Sequence, residues 1–285
     1  MIFQPKRVRL PAKPKEEVLM LYGAMNSPVR PVVEEIESIG EMGFDFAELT
    51  MDAPQAHYSV VDAQKDAILG ALGRFELGLV CHLPTFISTA DLTDSIRRAS
   101  IEEVMFSLEV AAVLQPLKVV LHPSYIRGLG LMVRDRAEKY ALRSLEAIVE
   151  KAHSLGLCLC LENMFPEARW LVDPEEFREI LAKLPTLNLT LDTGHANIQD
   201  SEGTRFLRFV EMFPDRIGHI HASDNFGKED SHLPIGAGSV GFPAIAKALR
   251  GIGYNDTVTL EVFSRDRDYV KLSREKFMAM MAKEE

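Results

Sequence analysis

Six residues able to bind a metal ion or move a proton recur along this chain at a near-constant interval. His82, His122, Glu162, Asp192, His221 and Glu261 are separated by 40, 40, 30, 29 and 40 residues. Each closes a short apolar run, as in Leu-Asn-Leu-Thr-Leu-Asp before Thr193. A carboxylate or imidazole at the end of a buried run is costly unless a cation or hydrogen bonds satisfy it. One divalent ion would satisfy several at once. Mixed carboxylate and imidazole donors suit Zn²⁺ or Mn²⁺, with Co²⁺, Fe²⁺ and Mg²⁺ also compatible. Taken singly, each residue is ordinary. His82 and His122 read equally well as satisfied core histidines, and an aspartate after a strand is commonly a helix cap. The repetition carries the metal-centre reading.

Three further candidates gather nearby. His195 follows Asp192 by three residues in Asp-Thr-Gly-His, and Asp230 and His232 stand two apart in the segment 223–238. Together they suggest another metal or an anion subsite. Gly236 and Gly238 behind them are not a dinucleotide fingerprint, because no third glycine follows in register. His219 and His221 alternate on one run and so face the same way, His221 nearer its end. Glu48 closes another apolar run and is expected at the substrate. Phe86 and Trp170, with Tyr125, Phe165 and Phe226, fall in loops where they could wall a small ligand. Lys228, Arg127, Arg169 and Arg265 are the few cations expected near the same place.

The elements that must carry these residues alternate. Apolar strands are expected at 18–24, 44–49, 77–83, 117–122, 157–163, 187–192, 216–222 and 257–263. Helices fall between and after them at 31–42, 61–74, about 93–114, 131–155, 174–183, 202–213, 242–250 and 266–283. Asp173 before Pro174 reads as a cap with proline in the first helical turn. Eight strand–helix units with short, wholly apolar strands predict an α/β fold, a single-domain (β/α)8 TIM barrel over 18–285, in which strand C-terminal ends share one mouth. A doubly wound open sheet is the alternative. Residues 1–17, with Lys6, Arg7, Arg9, Lys13 and Lys15 among three prolines, read as an extension or a plug on the barrel base.

Composition narrows the function. The chain has 285 residues, 47% of them hydrophobic, and a formal charge of −10. That balance argues against a nucleic-acid coat, although a local basic patch is compatible with it. No apolar run is long enough to span a membrane. Residues 1–10 lack the apolar core of a signal peptide, and the three cysteines form no CxxC pair, so a cytoplasmic location is expected. Oligomeric state is left open, a homo-oligomer included.

With these residues in place, the pattern resembles the metal-binding set of the xylose isomerase-like barrel superfamily over roughly residues 18–265. That group includes sugar and sugar-phosphate isomerases and epimerases, and also endonuclease IV, which cuts DNA at abasic sites. On the isomerase side the resemblance implies one divalent metal held by Glu162, Asp192, His221 and Glu261. The two glutamates would move protons through an enediolate, and His195 would contact a substrate hydroxyl. On the nuclease side it implies three zinc ions shared by nine residues: His82, His122 and Glu162; Glu162, Asp192, His221 and Glu261; and His195, Asp230 and His232. Two local departures favour the sugar branch. Strand six runs on as Leu-Asp-Thr-Gly-His, where the nuclease has Asp-Thr-Cys-His, and strand seven as His-Ala-Ser-Asp-Asn, where it has His-x-Asn-Asp-Ser-Lys. The resemblance thus implies a small sugar or sugar phosphate as substrate, with a phosphodiesterase or a related dehydratase as the alternatives.

Overall fold

The computed structural model describes residues 20–200 and 202–283. The expected extension at 1–17 lies outside them. Eight parallel strands close into a barrel in sequence order: β1 (Leu21–Met25), β2 (Phe46–Thr50), β3 (Gly78–His82), β4 (Lys118–Leu121), β5 (Leu159–Glu162), β6 (Asn188–Asp192), β7 (Ile217–Ala222) and β8 (Thr257–Leu260). Pairing of β1 with β8 closes the ring and removes the open-sheet alternative.

Among the described residues, ten α-helices lie between and after the strands: α1 (Val32–Glu41), α2 (Tyr58–Ala63), α3 (Lys65–Arg74), α4 (Asp94–Leu114), α5 (Arg134–Ser154), α6 (Pro174–Lys183), α7 (Thr193–Asn197), α8 (Arg205–Met212), α9 (Phe242–Gly251) and α10 (Asp268–Met281). None of the described helices is long and apolar enough to cross a membrane. The expected helix at 61–74 is two helices meeting at Gln64. The one expected from 131 begins as a 3-10 segment, Gly128–Val133, whose glycines hold no regular α-helix. Around α6 the reading from residue types is met closely. Asp173 and Glu176 form a reciprocal capping box, with Pro174 in the first turn.

Two apolar regions stabilise the barrel. The larger lies between strands and helices and includes Leu49, Leu79, Leu121, Leu161, Leu191 and Ile220. The smaller, Phe46, Val80 and Val120, belongs to the other faces of the strands and plugs the interior. Above this plug the inward faces turn polar. Alternation carries Phe46 to Glu48, Val80 to His82 and His219 to His221. Hydrophobic burial stabilises the wall and the plug, and the chemistry is confined to the C-terminal end.

Candidate metal centre and active site

The structure brings His82, His122, Glu162, Asp192, His221 and Glu261 into one buried cluster at that end. Glu162 lies at its centre, fully buried on the last position of β5. Its Oε2 is 3.1 Å from His122 Nε2 and 3.5 Å from His82 Nε2, and its Oε1 is 3.3 Å from His221 Nδ1 and 3.2 Å from His195 Nδ1. His221 Nδ1 also stands 3.4 Å from Glu261 Oε2 and 3.9 Å from Asp192 Oδ2. Asp192 and His221 are direct partners in the β6–β7 register. One imidazole nitrogen thus faces three carboxylates.

Local sequence explains how Asp192 serves two structures. It is the N-cap of α7, and its Oδ1 accepts a hydrogen bond from the His195 N–H at 2.5 Å. That leaves Oδ2 for the cluster. Gly194 lets α7 approach β7, since a Cβ there would stand 2.6 Å from Ser223 Oγ. The short helix turns His195 back over the centre. Its Nδ1 donates to the Asn163 carbonyl at 2.9 Å, and its Nε2 meets Asp230 Oδ2 at 3.2 Å.

Glu162 Oε2, Asp192 Oδ2 and Glu261 Oε2 are buried without a hydrogen bond. Glu162, Asp192, His221 and Glu261 each offer one donor atom, all within 4.8 Å of one another. Orphaned buried carboxylate oxygens gathered around one imidazole nitrogen are what a divalent cation would satisfy, so the residues fit the group. His82, His122 and Glu162 form a second such set. The third expected set converges on one oxygen of Asp230 but is more open than the other two. Among the described residues, His195, Asp230 and His232 are not a compact donor group. Asp230 instead lies between the two imidazoles as acceptor, with His232 Nε2 at 2.9 Å.

The electrostatics polarise the two glutamates. Burial opposes charge on Glu162, but the imidazoles of His122 and His221 outweigh it and hold its pKa well below normal. Glu261 is pushed up to about 8 by burial and by the negative Asp192 and Glu162, despite His232 and His221. Burial lowers His122, whereas His195 and His221 are raised well above the ordinary imidazole value because their carboxylate neighbours outweigh burial.

The expected substrate contacts fare differently. Glu48 is not at the mouth: it is fully buried beneath His221, because its place on β2 falls one inward layer lower. Trp170 is only 7% exposed and lines a small internal void with Leu121, His122, Ala141 and Leu145, between the end of β4 and α5, rather than an exposed wall. Phe86, 89% exposed, borders a cavity of about 370 Å³ with Tyr125, Arg127 and Leu129. Ring contacts run from Tyr125 to Phe165 at 6.0 Å and from Phe165 to His195 at 4.9 Å, linking that cavity to the centre. Lys228 is exposed on the loop after β7 and makes no ion pair among the described residues.

A family of known proteins accounts for this arrangement. The xylose isomerase-like TIM barrel family matches residues 36–281. This chain belongs to it. Among its relatives is the uncharacterized protein MJ1311 of Methanocaldococcus jannaschii, 29% identical over 90% of this chain and 88% of that one. Fructoselysine 3-epimerase of Escherichia coli O157:H7 is 21% identical over 90% of this chain and 95% of the relative. The crystal structure of a D-tagatose 3-epimerase-like protein superposes with a TM-score of 0.80 at 28% identity, covering 92% of this chain and 97% of that one.

Reading the residue types missed several members of this xylose isomerase-like site. Asn163 accepts from Asp192 N through Oδ1 at 2.7 Å and so fixes the β6 end against β5. It follows Glu162 directly, which was its only signal. Asp224 organises the loop that carries Asp230 and His232. Its carboxylate accepts backbone hydrogen bonds from Asn225, Gly236, Gly238 and Val240. Thr259 on β8 donates to Glu48 on β2 across the interior face of β1.

Proposed function

We propose that this chain is a divalent-metal-dependent sugar epimerase or isomerase that acts next to a carbonyl through an enediolate. The observation that carries the reading is the pair Glu162 and Glu261. They reach the same imidazole nitrogen from β5 and from the end of β8, so a substrate bound at this centre would meet a carboxylate from each of two strands. A cation held by Glu162, Asp192, His221 and Glu261 would polarise the substrate carbonyl and offset the enediolate charge. The protein then has two tasks. One glutamate takes the proton from the carbon beside the carbonyl, and the other returns a proton, on the opposite face for epimerisation. His195 is fixed through Nδ1 on the Asn163 carbonyl, so its Nε2 would meet a substrate hydroxyl in exchange for Asp230, and Phe165 covers its ring.

The named relatives favour a ketose epimerised at carbon 3. The chain's formal charge of −10 and the looser spacing of His195 and His232 about Asp230 favour a small sugar or sugar phosphate over DNA. The His82–His122–Glu162 set supports one second reading, an abasic-site phosphodiesterase with two metals. The separating experiment loads metal-free protein with Mn²⁺, Zn²⁺, Co²⁺ or Mg²⁺. It then offers ketoses, their phosphates and an abasic oligonucleotide. Epimer formation followed by NMR is the expected result. Cleavage of the oligonucleotide with no sugar turned over would replace this reading with the nuclease.

A further inference from the structure

We propose that Glu48 is a positioning residue that sets the tautomer and ring orientation of His221 from beneath the metal centre. The inference rests on the metal-binding reading above and adds a role for the layer below it. Glu48 is fully buried, and a carboxylate there persists only if its oxygens are satisfied. They are. Oε1 meets His221 Nε2 at 3.0 Å, and Oε2 meets His219 Nε2 at 3.2 Å and accepts from the Thr259 hydroxyl. His219 is anchored in turn, its Nδ1 lying 2.7 Å from Thr257 Oγ1.

A carboxylate only accepts, so the nitrogen facing it must carry the hydrogen. For His221 that nitrogen is Nε2. Nδ1 faces Glu162, Asp192 and Glu261 and carries a hydrogen of its own until a cation displaces it, whereas the bond to Glu48 keeps the other hydrogen on Nε2, so Nδ1 is the atom left to ligate. Such carboxylate–histidine–metal relays fix a ligand's orientation and raise its basicity.

Glu48, His219 and His221 are themselves close enough to hold an ion. The pattern of satisfied atoms argues otherwise. The orphaned oxygens belong to the upper group, Glu162, Asp192 and Glu261, whereas no atom of Glu48 or His219 lacks a partner. The lower group is completed by hydrogen bonds and the upper one is not.

Three measurements test the role. Zn²⁺ and Co²⁺ affinity is determined by chelator competition for the wild type, Glu48→Gln and Thr259→Val. Long-range ¹H–¹⁵N spectra of histidine-labelled protein report the His221 tautomer. Metal stoichiometry is counted. We expect one ion bound through the upper group, His221 protonated at Nε2, and Glu48→Gln weaker in affinity by ~10–100-fold, with Thr259→Val in the same direction but smaller. Unchanged affinity and an unchanged His221 signal in Glu48→Gln would overturn the inference. So would a deeper second ion that disappears in His219→Phe. If Glu48→Gln does not fold, the wild-type spectrum decides: an unprotonated His221 Nε2 overturns the proposal. A wild type that binds neither metal refutes the metal reading itself, a result distinct from all of these.

Discussion

Replacing Asp224 with alanine should unfasten the loop between β7 and α9 while sparing the barrel. Asp224 is fully buried, and its two oxygens accept four backbone N–H groups at 2.8–3.0 Å: Asn225 and Val240 on Oδ1, Gly236 and Gly238 on Oδ2. The loop is folded tightly around this carboxylate, since a Cβ on Gly238 would stand 2.3 Å from the Asn225 carbonyl oxygen. Hydrogen bonds to a charged acceptor contribute ~1.5–3 kcal/mol each, so the three that close the loop would sum to roughly 5–9 kcal/mol if the loop stayed folded. It need not, because freed N–H groups can reach water once the loop opens. The expected global loss is therefore ~2–4 kcal/mol, and the remainder appears as local opening. Asp224→Asn keeps one acceptor oxygen and should lose about half as much. Urea unfolding gives the global figure, and hydrogen exchange at Gly236, Gly238 and Val240 gives the local one. Asp224→Ala with stability within ~0.5 kcal/mol of wild type and unchanged protection at those amides would refute the reasoning.

Three further outcomes are expected. Gly194→Ala must push α7 from Ser223, so it should cost ~1–3 kcal/mol and weaken metal binding through the displaced Asp192; calorimetry with and without metal checks both. Cys158 is held down to about 6 by the Cys160 thiol beside it, with help from Lys118 against burial, so its alkylation rate should level off near neutral pH, while buried Cys81 and Cys160 react only on unfolding. The metal-free protein should lose stability as pH rises. Glu261 keeps its proton to about 8 against an ordinary value of 4.5, and His221 is raised above 6.5, so the folded chain binds more protons than the unfolded chain across that window. The melting temperature of metal-free protein should fall from pH 6 to pH 8.5. Metal binding should release protons and tighten over the same range. A melting temperature independent of pH would contradict this assignment.

Much of the fold and part of the site were legible because the barrel couples them. A metal-competent residue at each strand end can be read from residue type and spacing, and parallel closure brings those ends together. Depth inside the barrel cannot be read that way. Glu48 also closes an apolar run, yet the stagger between strands places it a layer below Glu162 and Glu261. Trp170 looked like a wall residue because it is aromatic and in a loop, but that loop folds outward against α5. Asp224 and Asn163 act through backbone groups distant in sequence, and no local signature marks such contacts. The break at Gln64 was hidden because the residues on both sides favour helix.

The central claim is that Glu162 and Glu261 transfer protons next to a substrate carbonyl. The most direct test follows deuterium from solvent into a turned-over ketose by NMR, at saturating metal, for the wild type, Glu162→Gln and Glu261→Gln. Either change keeps the shape of the side chain but removes its capacity to accept a proton, a loss of ~10²–10⁴ in rate. The expected result is label at the carbon beside the carbonyl for the wild type and at least ~10²-fold slower labelling in both folded, metal-loaded variants. Labelling at the wild-type rate in both variants would contradict the account.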